Sequence, residues 1–169
     1  MTQAGFTFGV LAANIDETRH PGEVPTDYVQ RLALEKAIAI AAHHPRAIVL
    51  GADTTVVLNG EVMNKPTNLA DAERMLRALS GKTHQVHTGL AVVAGSSTQS
   101  HVETTDVIFR EITPAELAAY LASGDALDKA GAYGIQGYAA RWIPRIEGDY
   151  FNVVGLPLSA VVGLLKTVH

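Results

Sequence analysis

The sequence predicts an α/β fold spanning residues 1–169 as a single domain, with a mixed, twisted central sheet flanked by helices. Three observations point there. Short strand and helix patterns alternate from one end to the other. No internal repeat, low-complexity tract or Pro/Gly/Ser linker interrupts that alternation. With 47% hydrophobic and 18% charged residues in a chain of 169, the composition is globular and the length is enough to bury a core.

Taken in order, Phe6 to Ala12 has the apolar content of a short strand, followed by a polar stretch, Asn14 to Pro25. A helix begins near Pro25 and Thr26, with Thr26 as N-cap and Asp27 in the first turn. Val29, Leu32, Ala33, Ala37, Ile40 and Ala41 draw its apolar stripe, and it ends around His43-His44-Pro45. Ala47 to Leu50 is a compact strand that runs through Gly51-Ala52-Asp53-Thr54-Thr55 into Val56-Val57-Leu58. Asn59-Gly60 is a hairpin-turn signal, with Glu61 to Met63 returning. Asn68 caps a helix whose buried face is Ala72, Met75, Leu76 and Leu79, and Gly81 follows as its left-handed terminator. Val86 to Ala94 and His101 to Phe109 read as two strands. Thr113-Pro114-Ala115-Glu116 is a capping box, opening a helix that stops at Gly124. Asp125 to Tyr138 is glycine-rich and irregular. Trp142 to Ile146 and Tyr150 to Val154 are expected to pair as strands, before a last helix from Pro157 to Val168.

Composition excludes several function classes. The formal net charge is -4 and no basic run exists, so a nucleic-acid backbone is not the expected partner. No apolar run reaches the roughly 18 residues of a membrane helix, and Met1 to Gly9 does not read as a signal peptide. The absence of cysteine removes disulfides and thiolate metal sites and suits a reducing compartment, so a cytoplasmic protein is expected. The seven histidines lack metal spacing; His84 and His87 in a strand point to opposite faces.

The residues that could carry chemistry are few. Asp53 lies where an apolar strand gives way to small residues, a place for a carboxylate that binds a cation or takes a proton from water; a solvated loop aspartate or a helix-type cap is the alternative. A two-residue turn at Asn59-Gly60 places Thr54 opposite Lys65, with Asp53 diagonal to it. That suits a metal-phosphate site, and also a plain cross-strand ion pair. Lys36 falls four residues after Leu32 and four before Ile40, on or beside the apolar stripe. It either meets a buried anion or snorkels to water. Asp16-Glu17 is a carboxylate pair in a loop, of interest only beside Asp53. Gly131 to Gly137 is a loop through which backbone can approach a ligand, and Gln136 offers both a donor and an acceptor to a base; a structural turn is the alternative.

Taken together these pieces resemble the Maf family. The matching stretches are Asp16-Glu17, Tyr28 to Ala37, Gly51-Ala52-Asp53-Thr54, Asn59-Gly60-Glu61, Lys65-Pro66, Met75 to Gly81, Asp128 to Gly137 and Gly155-Leu156-Pro157-Leu158. The resemblance implies a fold similar to inosine-triphosphate pyrophosphatases. It also implies hydrolysis of nucleoside triphosphates to the monophosphate and pyrophosphate with a divalent cation, Mg²⁺ or Mn²⁺. By it Asp53 is the base for the attacking water, Glu17 supports the metal or the water, and Lys36 and Lys65 neutralise phosphate charge. The metal would be held by Glu17 and Asp53. Threonine after the aspartate, here Thr54, goes with dTTP and UTP in similar proteins, and Gln136 matches the other specificity position. Such proteins are often dimers and are linked to inhibition of septum formation.

The resemblance further implies an opening strand and a Ser-x-Ser-Pro-Arg-Arg segment, whose arginines would grip phosphates bidentately. That segment does not occur in the sequence. The expectation is a fold with its first strand missing and a neighbouring strand left unpaired. The alternatives are then a start codon assigned too late or a weakened nucleotide-binding paralogue.

Overall fold

The computed structural model describes residues 1–168. Helix α1 (Pro25–Ala41) starts from Val24, not from Thr26. Proline at the first helical position needs no N–H partner, so the helix begins there and Thr26 already lies inside it. Its buried residues are Tyr28, Val29, Leu32, Ala33 and Ala37, the expected stripe shortened at its far end.

Strand β1 (Ile48–Leu58) is continuous through Asp53. Asn59 and Gly60 both take positive φ, 53° and 83°, the backbone of a type I′ turn. They lead into β2 (Glu61–Met63), with Leu58 opposite Glu61, Val57 opposite Val62 and Val56 opposite Met63. Helix α2 (Leu69–Leu79) is capped by the Asn68 side chain, which accepts from the Asp71 N–H at 2.9 Å, and it buries Ala72, Met75, Leu76 and Leu79. Strands β3 (Thr83–Ala94) and β4 (Ser97–Ile108) follow, then α3 (Pro114–Ser123) with the full Thr113–Glu116 capping box and Gly124 at φ 80°. Short 3-10 turns at Ala130–Ala132 and Tyr138–Trp142 precede β5 (Arg145–Glu147), α4 (Tyr150–Val154) and α5 (Leu158–Lys166). The five strands form one sheet in the order β2-β1-β3-β4-β5, and both outer pairs are antiparallel. The fold is therefore α/β, a central sheet with helices.

Three expected elements are corrected. Phe6 to Ala12 is extended but makes no strand; Val10 is 84% exposed, and strand propensity alone does not build a strand without a ladder partner. Trp142 closes a 3-10 turn, and only Arg145–Glu147 is a strand, paired with Asp106–Ile108 of β4. Tyr150–Val154 is helical because Asp149 caps it: its Oδ1 accepts from the N–H of Phe151 at 2.6 Å and of Asn152 at 3.3 Å.

The chain divides into two compact units. The first comprises Met1–Asp53, Thr88–Glu103 and the chain from Gly155 on; the second comprises Thr54–His87 and Thr104–Val154. The first has a small-residue core of Ala33, Ala37, Ala91 and Val93. The second is built round Leu76, Leu79, Phe109, Tyr120, Tyr133 and Trp142, with Phe109 edge-on to Tyr133 and Trp142. Among the described residues no helix is long and apolar enough to cross a membrane.

Candidate active site

In the first unit two glycines let α1 press onto strand backbone. A Cβ on Gly51 of β1 would lie 2.1 Å from the Ala33 carbonyl oxygen, and one on Gly89 of β3 would lie 2.2 Å from that of Val29. Only a residue without a side chain fits at either place. Side chains alternate along a strand, so Asp53 projects from the same face as Gly51, toward α1. Lys36 stands beside Ala37 on the helix face that Gly51 meets. The ammonium meets the carboxylate: Lys36 Nζ lies 2.6 Å from Asp53 Oδ1.

Glu17 comes to the same nitrogen from the loop, its Oε1 2.8 Å from Lys36 Nζ. Asp16 does not; its carboxylate accepts from the Thr18 N–H at 2.9 Å, and hydrogen bonding from the Thr18 side chain first, then from that N–H, holds its pKa below the usual range. One ammonium thus joins two carboxylates from separate segments. Burial pulls the Lys36 pKa down, but the hydrogen bonds to Asp53 and Glu17 outweigh it, and the net direction is upward. Asp53 is the more enclosed acid, with 13% of its side chain exposed against 56% for Glu17.

The loop itself is tied to α1 by residues that carried no signal in the sequence. Arg31 forks onto Glu23, Nε to Oε1 at 2.6 Å and Nη2 to Oε2 at 2.9 Å, and Nη2 also donates to the Thr18 carbonyl at 3.1 Å. The Tyr28 hydroxyl donates to the Glu17 carbonyl at 2.9 Å. Glu35 stands at helical spacing from Arg31 and meets its Nη1 at 3.3 Å; Glu23 lies outside any periodic pattern, so its partnership could not be read.

Thr54, Lys65 and Gln136 belong to the second unit. The expected pairing of Thr54 with Lys65 does not form. The ladder ends at Val56–Met63; Thr55 Oγ1 then donates to Asn64 Oδ1 at 2.8 Å, and the Asn64 carbonyl accepts from the Gly131 N–H at 3.3 Å instead of continuing the strand. That bond ties the glycine loop to the end of the hairpin. Gly131 is tight against Val56, where a Cβ would lie 2.9 Å from Cγ2. Tyr133 is fixed by its hydroxyl, 2.7 Å from His84 Nε2. Lys65 and Gln136 are exposed. Asp128 has a lowered pKa, chiefly from its hydrogen bond with Lys129 at 2.5 Å and in smaller part from the charge of Lys65. The structure therefore brings Glu17, Lys36 and Asp53 together in one unit. In the other it links the hairpin end that carries Lys65 to the loop that carries Gln136.

The chain was compared with known proteins. A family model described as Maf-like protein matches residues 1–168. A dTTP/UTP pyrophosphatase of Shouchella clausii (strain KSM-K16) is 46% identical over 169 residues, 100% of this chain and 88% of the relative. A dTTP/UTP pyrophosphatase of Koribacter versatilis (strain Ellin345) is 47% identical over 166 residues, 98% of this chain and 86% of the relative. One of Bacillus anthracis (strain CDC 684 / NRRL 3495) is 47% identical over 163 residues, 96% and 85% respectively. On a family match that runs through residue 168 and identities near one half along almost the whole chain, this protein belongs to the Maf family.

Proposed function

We propose that the protein is a nucleoside triphosphate pyrophosphatase that cleaves dTTP and UTP to the monophosphate and pyrophosphate. The observation that carries this reading is the Lys36 ammonium set between the Asp53 and Glu17 carboxylates. The names of the relatives supply the substrate class.

The chemistry asked of these residues is modest. Phosphoryl hydrolysis is mostly positioning plus neutralisation of charge, with a base to orient and deprotonate water. Asp53, enclosed and paired with an ammonium, is the group we assign to the water. Lys36 orients that carboxylate and contributes positive charge to the phosphates. Glu17, more exposed, supports the water or a cation. Lys65 is the second phosphate cation, and Thr54 and Gln136 discriminate the base.

A divalent cation fits the donor set in one specific sense. Among the described residues no group of three His, Cys, Asp or Glu is placed to hold a metal by protein alone. Two carboxylates on one ammonium are instead what Mg²⁺ or Mn²⁺ needs when the polyphosphate supplies the remaining oxygens. Glu17 and Asp53 would hold it, and bound there it would offset triphosphate charge. A cytoplasmic setting is in keeping with a chain that has no cysteine.

The test is pyrophosphate release across a nucleotide panel with Mg²⁺ and with Mn²⁺. Release from dTTP and UTP in preference to GTP and ATP supports the reading; the opposite preference, or release of orthophosphate alone, refutes it.

A further inference from the structure

Residues 6–24 contain no helix or strand, yet they present a carboxylate to Lys36. Fixing each such residue costs about 1–2 kcal/mol of backbone entropy, so a loop carboxylate that is 56% exposed stays in place only if something holds the loop. Burial of its own side chain does not. The candidates are the side chains that reach it from α1.

We propose that the Arg31–Glu23 ion pair is the positioning element of Glu17. It sets the loop on the same helix that carries Lys36 and so delivers the second carboxylate to the ammonium. This rests on the reading above, in which Glu17 takes part in the reaction. Glu23 acts as a hub. Its carboxylate accepts from Arg31 Nε and Nη2 and from the His20 N–H at 3.0 Å, and its carbonyl accepts from the Arg19 guanidinium. Arg31 Nη2 also donates to the Thr18 carbonyl, one residue beyond Glu17, while its Nη1 faces Glu35 on the same helix at 3.3 Å. Tyr28, whose ring lies 5.8 Å below the Arg31 guanidinium, holds the Glu17 carbonyl itself. The loop is therefore pinned at Glu17 itself and at the residue after it by two residues one helical turn apart. A planar fork is required: a lysine at position 31 could reach Glu23 or Thr18 but could not make both sets of bonds in one geometry. The pair is largely enclosed, with 19% and 10% of the two side chains exposed, so salt screens it weakly.

The test is a double-mutant cycle on UTP turnover with Glu17→Gln and Arg31→Met, with Glu23→Gln as a second way to open the latch. The expected result is that Arg31→Met and Glu23→Gln each lower kcat about tenfold, the scale of a misplaced catalytic group, while Arg31→Met in the Glu17→Gln background costs nothing further. Independent, multiplying losses would overturn the proposal, because Arg31 would then act through the fold and not through Glu17. Wild-type turnover in Glu17→Gln would instead remove Glu17 from the reaction and refute that part of the proposed function. The latch is judged in that case, or if either variant is inactive, by tryptic cleavage after Arg19, followed by mass. Faster cleavage in Glu23→Gln supports the latch, and an unchanged rate overturns it.

Discussion

Lys36 Nζ lies 2.6 Å from Asp53 Oδ1, and what makes that distance attainable is a glycine two residues before the aspartate. Gly51 admits the backbone of α1 at Ala33 and Ala37, which sets the helix close enough for the ammonium to meet a short carboxylate side chain. The ion pair at Asp53 and the packing at Gly51 are therefore one feature of the sequence, read on one face of one strand.

The first prediction concerns that packing. Gly51→Ala places a Cβ against backbone atoms that cannot rotate away, so α1 must shift. The expected loss is about 3 kcal/mol in urea unfolding, near the upper end for overpacking, with turnover lost alongside. Gly60→Ala is the contrast: its cost is left-handed backbone alone, about 1–2 kcal/mol, with turnover retained. A Gly51→Ala protein as stable and active as the wild type would show that the close approach is not needed.

A second prediction follows from His84. Its ring is buried, packed edge-on against Phe109 and Tyr133, and its Nδ1 has no partner among the described residues. Burial pushes its pKa down to about 4 from 6.5, only weakly opposed by Asp106. The native state then binds fewer protons than the unfolded chain between those two values, so stability falls as pH falls through that window. The fall approaches about 3 kcal/mol below pH 4. Denaturant unfolding at pH 7 and pH 4.5 measures it. His84→Gln is expected to flatten the dependence; an equally steep fall in the variant would assign acid sensitivity elsewhere.

Much of the fold was legible because it is encoded locally. The Asn59-Gly60 turn, the Asn68 cap, the Thr113–Glu116 box and the α2 face each depend on residues within a turn or two of one another. Lys36 was legible only in part: a charge on an apolar stripe needs either an anion or a path to water, and the pattern alone does not choose between them. What could not be read depends on distant groups. Tyr150 to Val154 has strand-like residues, and the Asp149 cap that makes them helical is itself seated by a distant group, Thr105 Oγ1, which accepts from the Asp149 N–H at 3.0 Å. The Arg31–Glu23 pair joins a helix to an irregular loop, where no period exists to reveal it. The end of the β1–β2 ladder was misjudged because the Asn64 carbonyl is claimed by Gly131, far along the chain.

A third prediction concerns base choice. Gln136 is exposed on a loop whose shape is held by Tyr133, Gly131 and their partners, so its side chain is free to serve recognition without cost to the fold. Gln136→Ala is expected to change the UTP-to-GTP ratio of kcat/KM by about tenfold, the scale of one hydrogen bond, with an unchanged unfolding midpoint. A substitution at Thr54 should move the same ratio. An unaltered ratio in both variants would take these residues out of specificity.

The most direct measurement is steady-state pyrophosphate release from UTP by Asp53→Asn. The substitution keeps the shape of the side chain and leaves Lys36 its bond to Glu17, so the fold should persist. With Asp53 as the acceptor of the water proton, release should fall at least about a hundredfold while the circular dichroism spectrum is retained. Release at the wild-type rate from a folded Asp53→Asn protein would contradict the account.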